Sequence, residues 1–286
     1  MTPLLRAREQ RIAGAFVGLS LFGVGFAPLF GGPGYEQSLA SGLLVPSAAA
    51  VATACELSRD DVAAPLPIDG VGRGVASGLA LGALAFATAL VHGARVGICD
   101  LAGGAASFAL TALAGAALGG VWGAVVAEVA RGAKRRKLRA ITLAIGLPLA
   151  SALVSVARFY TSPMIFAFDP FVGYFSGTLY DTVIDAGAAL FTYRAGSLAT
   201  LVGTALVATV LTRDEAGRLR VVSLSGERRA HGALARLALA VVALAVSVAI
   251  TCAGPWLGHW QTADSIARDL GGGGGGARGG GGGPPP

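Results

Sequence analysis

Long unbroken stretches of apolar residues leave this chain few folds to choose from. Seven blocks stand out, at 12–30, 39–55, 75–91, 101–127, 140–157, 188–211 and 237–256. A bilayer core is ~30 Å thick, and a helix crosses it with ~20 apolar residues. The blocks therefore predict an all-α, polytopic transmembrane bundle of about seven spans over residues 1–270. Only 13% of residues are charged and the mean hydropathy is +0.67, which excludes an ordinary soluble globule and a disordered chain. Three cysteines, Cys55, Cys99 and Cys252, are too few for a disulfide framework.

The basic residues orient the spans. Arg6, Arg8 and Arg11 precede the first block, which reads as an uncleaved signal anchor, the alternative being a signal cleaved near the small residues around Ala27. With the N-terminus inside, segments 1–11, 56–74, 128–139 and 212–236 face the cytoplasm and hold 17 of the 22 Lys and Arg residues. That bias follows the positive-inside rule. The second block is short and contains Pro46, but omitting it would turn the cluster from Arg131 to Arg139 outward. Seven spans therefore stand, with the C-terminus outside. The heavy Ala, Gly, Leu and Arg usage suits a GC-rich bacterial genome, so the expected location is a bacterial cytoplasmic membrane.

Between apolar helices in lipid, small residues permit close backbone approach. Gly70, Gly74, Gly78 and Gly82 recur every fourth residue, as do Gly115, Gly119 and Gly123. Each set lies on one helix face. With a short loop between the third and fourth spans, the spacing predicts a tight antiparallel pair. Pro148, inside the fifth span, predicts a kink.

The most informative stretch is 158–194, which carries 10 of the 20 aromatic residues. Pro163 and Pro170 interrupt any helix in its first half. Thr178 and Asp181 match a capping pattern, so a helix is expected to begin near residue 179 and run to Leu211. The segment 158–187 then forms an aromatic outer cap. Asp169, Tyr174, Tyr180, Asp181, Asp185 and Arg194 are the candidate ligand or ion site. Asp181 and Asp185 share a helix face, where like charges call for a proton, a cation or an arginine. The competing reading is interfacial: Tyr and Phe collect at headgroups, acids favour helix N-termini, and Arg194 snorkels outward.

Other residues contribute less. His92, Arg95 and Asp100 read as a solvated outer turn, and Glu56 and Glu128 as inner-interface acids near Arg59 and Arg131. The partial alternation in RLRVVSLSGERR predicts a short inner hairpin within 212–236. No catalytic motif, metal-ligand spacing or cofactor signature is present, so the reading leans away from an enzyme and carries no cofactor, metal or nucleic-acid partner. Residues 271–286 are a Gly/Pro-rich tail that cannot build a core and reads as a linker or free extension.

The run FYTSPMIFAFDPFVGYFSGTLYD, residues 159–181, resembles a segment of uncharacterised bacterial polytopic membrane proteins. The resemblance implies a membrane region that precedes an extracytoplasmic soluble region, with no catalytic residue carried over. The resulting expectation is a membrane anchor or scaffold whose outer cap senses or docks something. Its partners are the bilayer and an extracytoplasmic domain or protein reached through the tail. The alternatives are a small-molecule or ion transporter and a membrane-embedded enzyme.

Overall fold

The computed structural model describes residues 8–59, 66–98, 100–161, 166–176, 187–214, 219–221 and 227–260. Tyr180, Asp181, Asp185, Cys99, the capping pattern at 178–181 and the tail lie outside these. Among the described residues the fold is all-α, with two short strand pairs. Helices α1 (Arg8–Val24), α2 (Tyr35–Leu57), α3 (Pro67–Val96) and α4 (Leu101–Phe108) come first. A π-helical segment, Ala109–Leu113, joins α4 to α5 (Ala114–Ala130) without a break. Then follow α6 (Arg136–Thr161), β1 (Phe166–Asp169), β2 (Gly173–Ser176), α7 (Gly187–Val210), β3 (Leu211–Arg213), β4 (Leu219–Val221) and α8 (Glu227–Cys252). The expected hairpin in 212–236 corresponds to β3 and β4, paired antiparallel with Thr212 opposite Arg220.

Among the described residues, six helices are long and apolar enough to cross a membrane: 35–57, 67–96, 101–130, 136–161, 187–210 and 231–252. The chain is thus a multi-pass integral membrane protein. Pro46 and Pro148 sit inside α2 and α6 without ending them. The first block, expected as a span to residue 30, is helical only as far as Val24, where α1 ends and the chain turns. Even so, α1 lies along α3. Ser77 donates to Gln10 at one end (2.8 Å), and His92 Nε2 meets the Phe22 carbonyl at the other (2.9 Å). His92 is buried between the Phe22 and Phe26 rings, while Arg95 donates to the Gly25 carbonyl and stacks on Phe26. The supposed solvated turn is thus partly a lock between α1 and α3. Asp100 does behave as a turn residue, capping α4 by accepting from the Gly103 N–H.

The centre of the bundle is built on small residues. A Cβ added at Gly74 would overlap the Gly120 carbonyl, and one at Gly78 the Ala116 carbonyl. Gly82 lies over Leu113. The contacts run in opposite sequence directions, so α3 and α5 are antiparallel and close. The fourth span's own ladder faces elsewhere. Gly119 and Gly123 abut the Pro46 and Ala50 carbonyls of α2, and Gly115 abuts the Phe171 carbonyl. One helix presents two glycine faces, and Gly120, off the ladder, serves α3. Such contact replaces the hydrophobic drive that lipid does not provide.

The two ends of the bundle differ. At one, Glu9 pairs with Arg59 (3.4 Å), Glu56 with Arg73 (3.9 Å), and Glu128 with both Arg131 (3.1 Å) and Arg213. Arg136 donates to the Leu57 carbonyl there (2.9 Å). The other end carries the β1–β2 hairpin.

The glycine contacts yield a direct test. Gly78→Ile forces its side chain into a backbone carbonyl, and overpacking of this kind costs about 1–3 kcal/mol or more. Gly72, on the same helix, is exposed and has nothing within 4 Å of an added Cβ. Thermal unfolding in detergent should therefore show a clear loss for Gly78→Ile and little for Gly72→Ile. Equal losses would contradict the α3–α5 contact.

Candidate functional site

The residues FAFDPFVGYFS explain their own hairpin. Asp169 closes the turn by accepting from the Phe171 and Val172 N–H groups, both at 2.8 Å. This is the local side-chain-to-backbone bond that favours Asp in turns. Pro170 supplies a φ suited to the next position. Gly173 takes φ +113°, where L side chains are strained, and an added Cβ would meet Thr111 at 2.8 Å. The strands pair antiparallel, with Phe168 opposite Tyr174 and Asp169 opposite Gly173.

This hairpin does not lie on the surface. Its tip carbonyls fit against Gly42, two turns into α2, and Gly115, about 20 Å along the helix that starts at Leu101. Phe171, Val172 and Tyr174 are buried, and Asp169 is fully so. The expected outer cap is therefore, over 166–176, a hairpin packed between the helices rather than a surface layer. Non-helical backbone at this depth is tolerated only when protein satisfies it.

Two charged residues do so. The second carboxylate oxygen of Asp169 accepts from Ser151 (2.6 Å) and Ser155 (3.0 Å) of α6. Together with the turn N–H groups, this engages both oxygens. Arg194, buried on α7, donates from Nη1 to the Pro170 carbonyl (2.7 Å) and from Nη2 to the Thr111 carbonyl (3.1 Å). Its Nε donates to the Leu110 carbonyl. Leu110 and Thr111 belong to the π segment, where widened i→i+5 geometry moves carbonyls out of their usual alignment. The guanidinium fork thus ties the π segment to the hairpin. Arg194 does not snorkel outward; its three carbonyl partners hold it inside.

Of the predicted site residues, Asp169, Tyr174 and Arg194 come together around this hairpin. Tyr174 stacks near Tyr35 (5.2 Å between centroids) and packs with Phe168 and Leu190. Sequence reasoning passed over Ser151, Ser155, Thr111 and His259. The D-P-x-x-G pattern at 169–173 was the available signal for a tight turn; nothing in the ordinary helix formers ALTAL marks the π segment. No group of three or more His, Cys, Asp or Glu among the described residues is placed to hold a metal.

His259 closes the assembly. It is buried against Phe168 and Tyr193, with Nε2 at 2.8 Å from the Thr192 hydroxyl. That hydroxyl also donates to the Ala189 carbonyl, so Nε2–H is the donor to Thr192. Nδ1 is buried without a partner. Protonating it would bury an unpaired N–H. Burial accordingly pushes the His259 pKa below its usual 6.5, partly opposed by the Ala189 carbonyl.

A pocket of about 580 Å³ opens at the hairpin end, bounded by Tyr35, Asp100, Ser107, Leu110 and Tyr174. Its lining is rich in backbone from Gly32, Gly34 and Gly104. Compared with protein-family models, curated proteins and solved structures, the chain matches none.

Two outcomes follow for stability. Arg194→Leu removes the charged donor shared by the Pro170, Leu110 and Thr111 carbonyls and a positive charge near Asp169, and loss of a hydrogen bond from a charged group costs about 1.5–3 kcal/mol. Arg194→Lys should recover only part, because one ammonium cannot reproduce the fork; thermal unfolding should rank the wild type above Lys, and Lys above Leu. His259 gives a pH signature. Its unfolded form binds a proton near pH 6.5 while its folded form does not, so its contribution is complete above pH 6.5 and falls as pH drops through the lower folded value. His259→Gln should flatten stability against pH in that acidic window. An unchanged slope would place His259 outside it.

Proposed function

We propose that the protein is a seven-helix membrane anchor or scaffold of the bacterial cytoplasmic membrane, with its N-terminus inside and its C-terminus outside. Its hairpin end docks or senses an extracytoplasmic partner. The observation that carries this reading is the engagement of Asp169 and Arg194 by the fold itself. Both carboxylate oxygens and all three guanidinium nitrogens already bond to this chain's own hairpin, α6 and π segment. A transporter's charged site must exchange partners during its cycle, whereas these two hold a fixed element in place. That favours a static module over the transporter alternative.

Three features support the threading. The ion-paired end carries the arginine-rich connections, which belong on the cytoplasmic side. α1, at the short end of the spanning range, lies parallel to α3 along their shared length. Its outward face is apolar at Ile12, Phe16 and Leu19. It thus qualifies as the seventh span. The pocket beside Tyr35 and Tyr174 is then the docking position, open to the extracytoplasmic side.

Reporter fusions test the threading. Fusions ending at Gly32, Gly97 and Trp260 should report outside, and one ending at Ala133 inside; an outside signal at Ala133 overturns the arrangement. For the role itself, a photo-crosslinking residue at Tyr35 should capture an extracytoplasmic protein, and one at the lipid-facing Ile145 should not. Solute flux through the purified protein in vesicles, with no adduct at Tyr35, would replace the anchor with the transporter.

A further inference from the structure

A second cavity lies away from the docking pocket. It measures about 430 Å³ and separates α6 from the α7–α8 pair. α8 packs chiefly on α7, whereas α6 packs on α2, α5 and the hairpin strand β1. Only 6% of the apolar window of α8 is buried. The cleft thus lies beside a helix whose apolar surface is almost wholly unburied. Its base is Leu118 and Leu147, and its back is the hairpin tip at Pro170 and Phe171.

The lining is chemically mixed. Ser151, Ser197, Thr200 and Thr251 all border it. Each of their protons has a nearby acceptor within the protein: Ser151 bonds Asp169, and Ser197, Thr200 and Thr251 bond carbonyls of their own helices. The oxygens retain lone pairs, so the walls offer acceptors set in apolar surface. Arg158 stands at the rim, exposed, three residues from the end of α6 nearest the hairpin. Its guanidinium lies 5.2 Å over the Trp260 ring. It pairs with no carboxylate among the described residues, and Asp169, inside the wall, has both oxygens engaged. Among the described residues the rim thus pairs one cation, free of any carboxylate, with an aromatic ring, the pairing expected at headgroup depth.

We propose that this cleft binds a phospholipid whose headgroup is anionic and carries hydroxyls. The phosphate sits at Arg158, the headgroup hydroxyls donate to the acceptor-bearing wall, and an acyl chain lies over Leu147 and Val154. The cavity falls within the ~300–1,000 Å³ range of small-molecule sites. The proposal goes beyond the docking role and holds whichever partner that role serves, because it needs only the helices in a bilayer.

Native mass spectrometry of the full chain in detergent, titrated with phosphatidylglycerol or phosphatidylcholine, tests it. The wild type should retain one phosphatidylglycerol with a preference of about fivefold, the value of one basic residue near a membrane surface. Arg158→Gln should abolish the preference, and Arg158→Lys should keep it even if the Trp260 stacking is lost. Val154→Trp, which fills the cleft, should weaken both lipids. Arg139→Gln, at the ion-paired end, should change nothing. A preference that survives Arg158→Gln, falls with Arg139→Gln, or is untouched by Val154→Trp overturns the site. Unfolding curves matching the wild type exclude simple misfolding of any variant, and the reporter fusions stand or fall separately.

Discussion

A hairpin buried among membrane helices is possible only if its backbone finds partners there, and Arg194 supplies them. Its fork joins the Pro170 carbonyl of the turn to the Leu110 and Thr111 carbonyls of the π segment. Asp169 satisfies the turn N–H groups from the other side and recruits two serines of α6. Opposite charges from the hairpin and from α7 come close together here, which limits the cost of placing both away from water. The arrangement links α4–α5, α6 and α7 through an element that belongs to none of them.

The bundle is built in two tiers. In the inner tier, α2, α3 and α5 meet through glycines and alanines, at separations where a Cβ would collide with backbone. Such contacts are rigid because there is no side chain to rearrange. In the outer tier, α6 and the α7–α8 pair lean on that centre, and hydroxyls such as Thr200 to Ser247 (2.7 Å) join α7 to α8. The hairpin bridges the tiers, and the cleft beneath Arg158 is the space left where they do not meet. A rigid centre with a fixed, packed hairpin suits a scaffold, and a cleft beside α8 suits regulation or stabilisation by lipid.

Much of the architecture was readable before folding, for identifiable reasons. Apolar length marked the helices because a bilayer demands it, and the four-residue glycine spacing marked close packing. The hairpin was harder to see. Its aromatic residues have the composition of an interface, and its proline and glycine mark a turn without saying how deep that turn lies. His92 and Arg95 looked solvated because their partners, the Phe22 and Gly25 carbonyls, are about 70 positions away in sequence.

The sequence by itself determined that the chain enters a membrane, roughly where its helices lie, and which faces carry small residues. These are properties of local composition and period. Tertiary structure alone decided which helix each glycine meets, how deep the hairpin sits, and what Asp169 and Arg194 bind. The reason is that carbonyls have no sequence signature. A guanidinium that seeks backbone oxygens can find them on any element, and only packing brings the π segment and the turn within its reach.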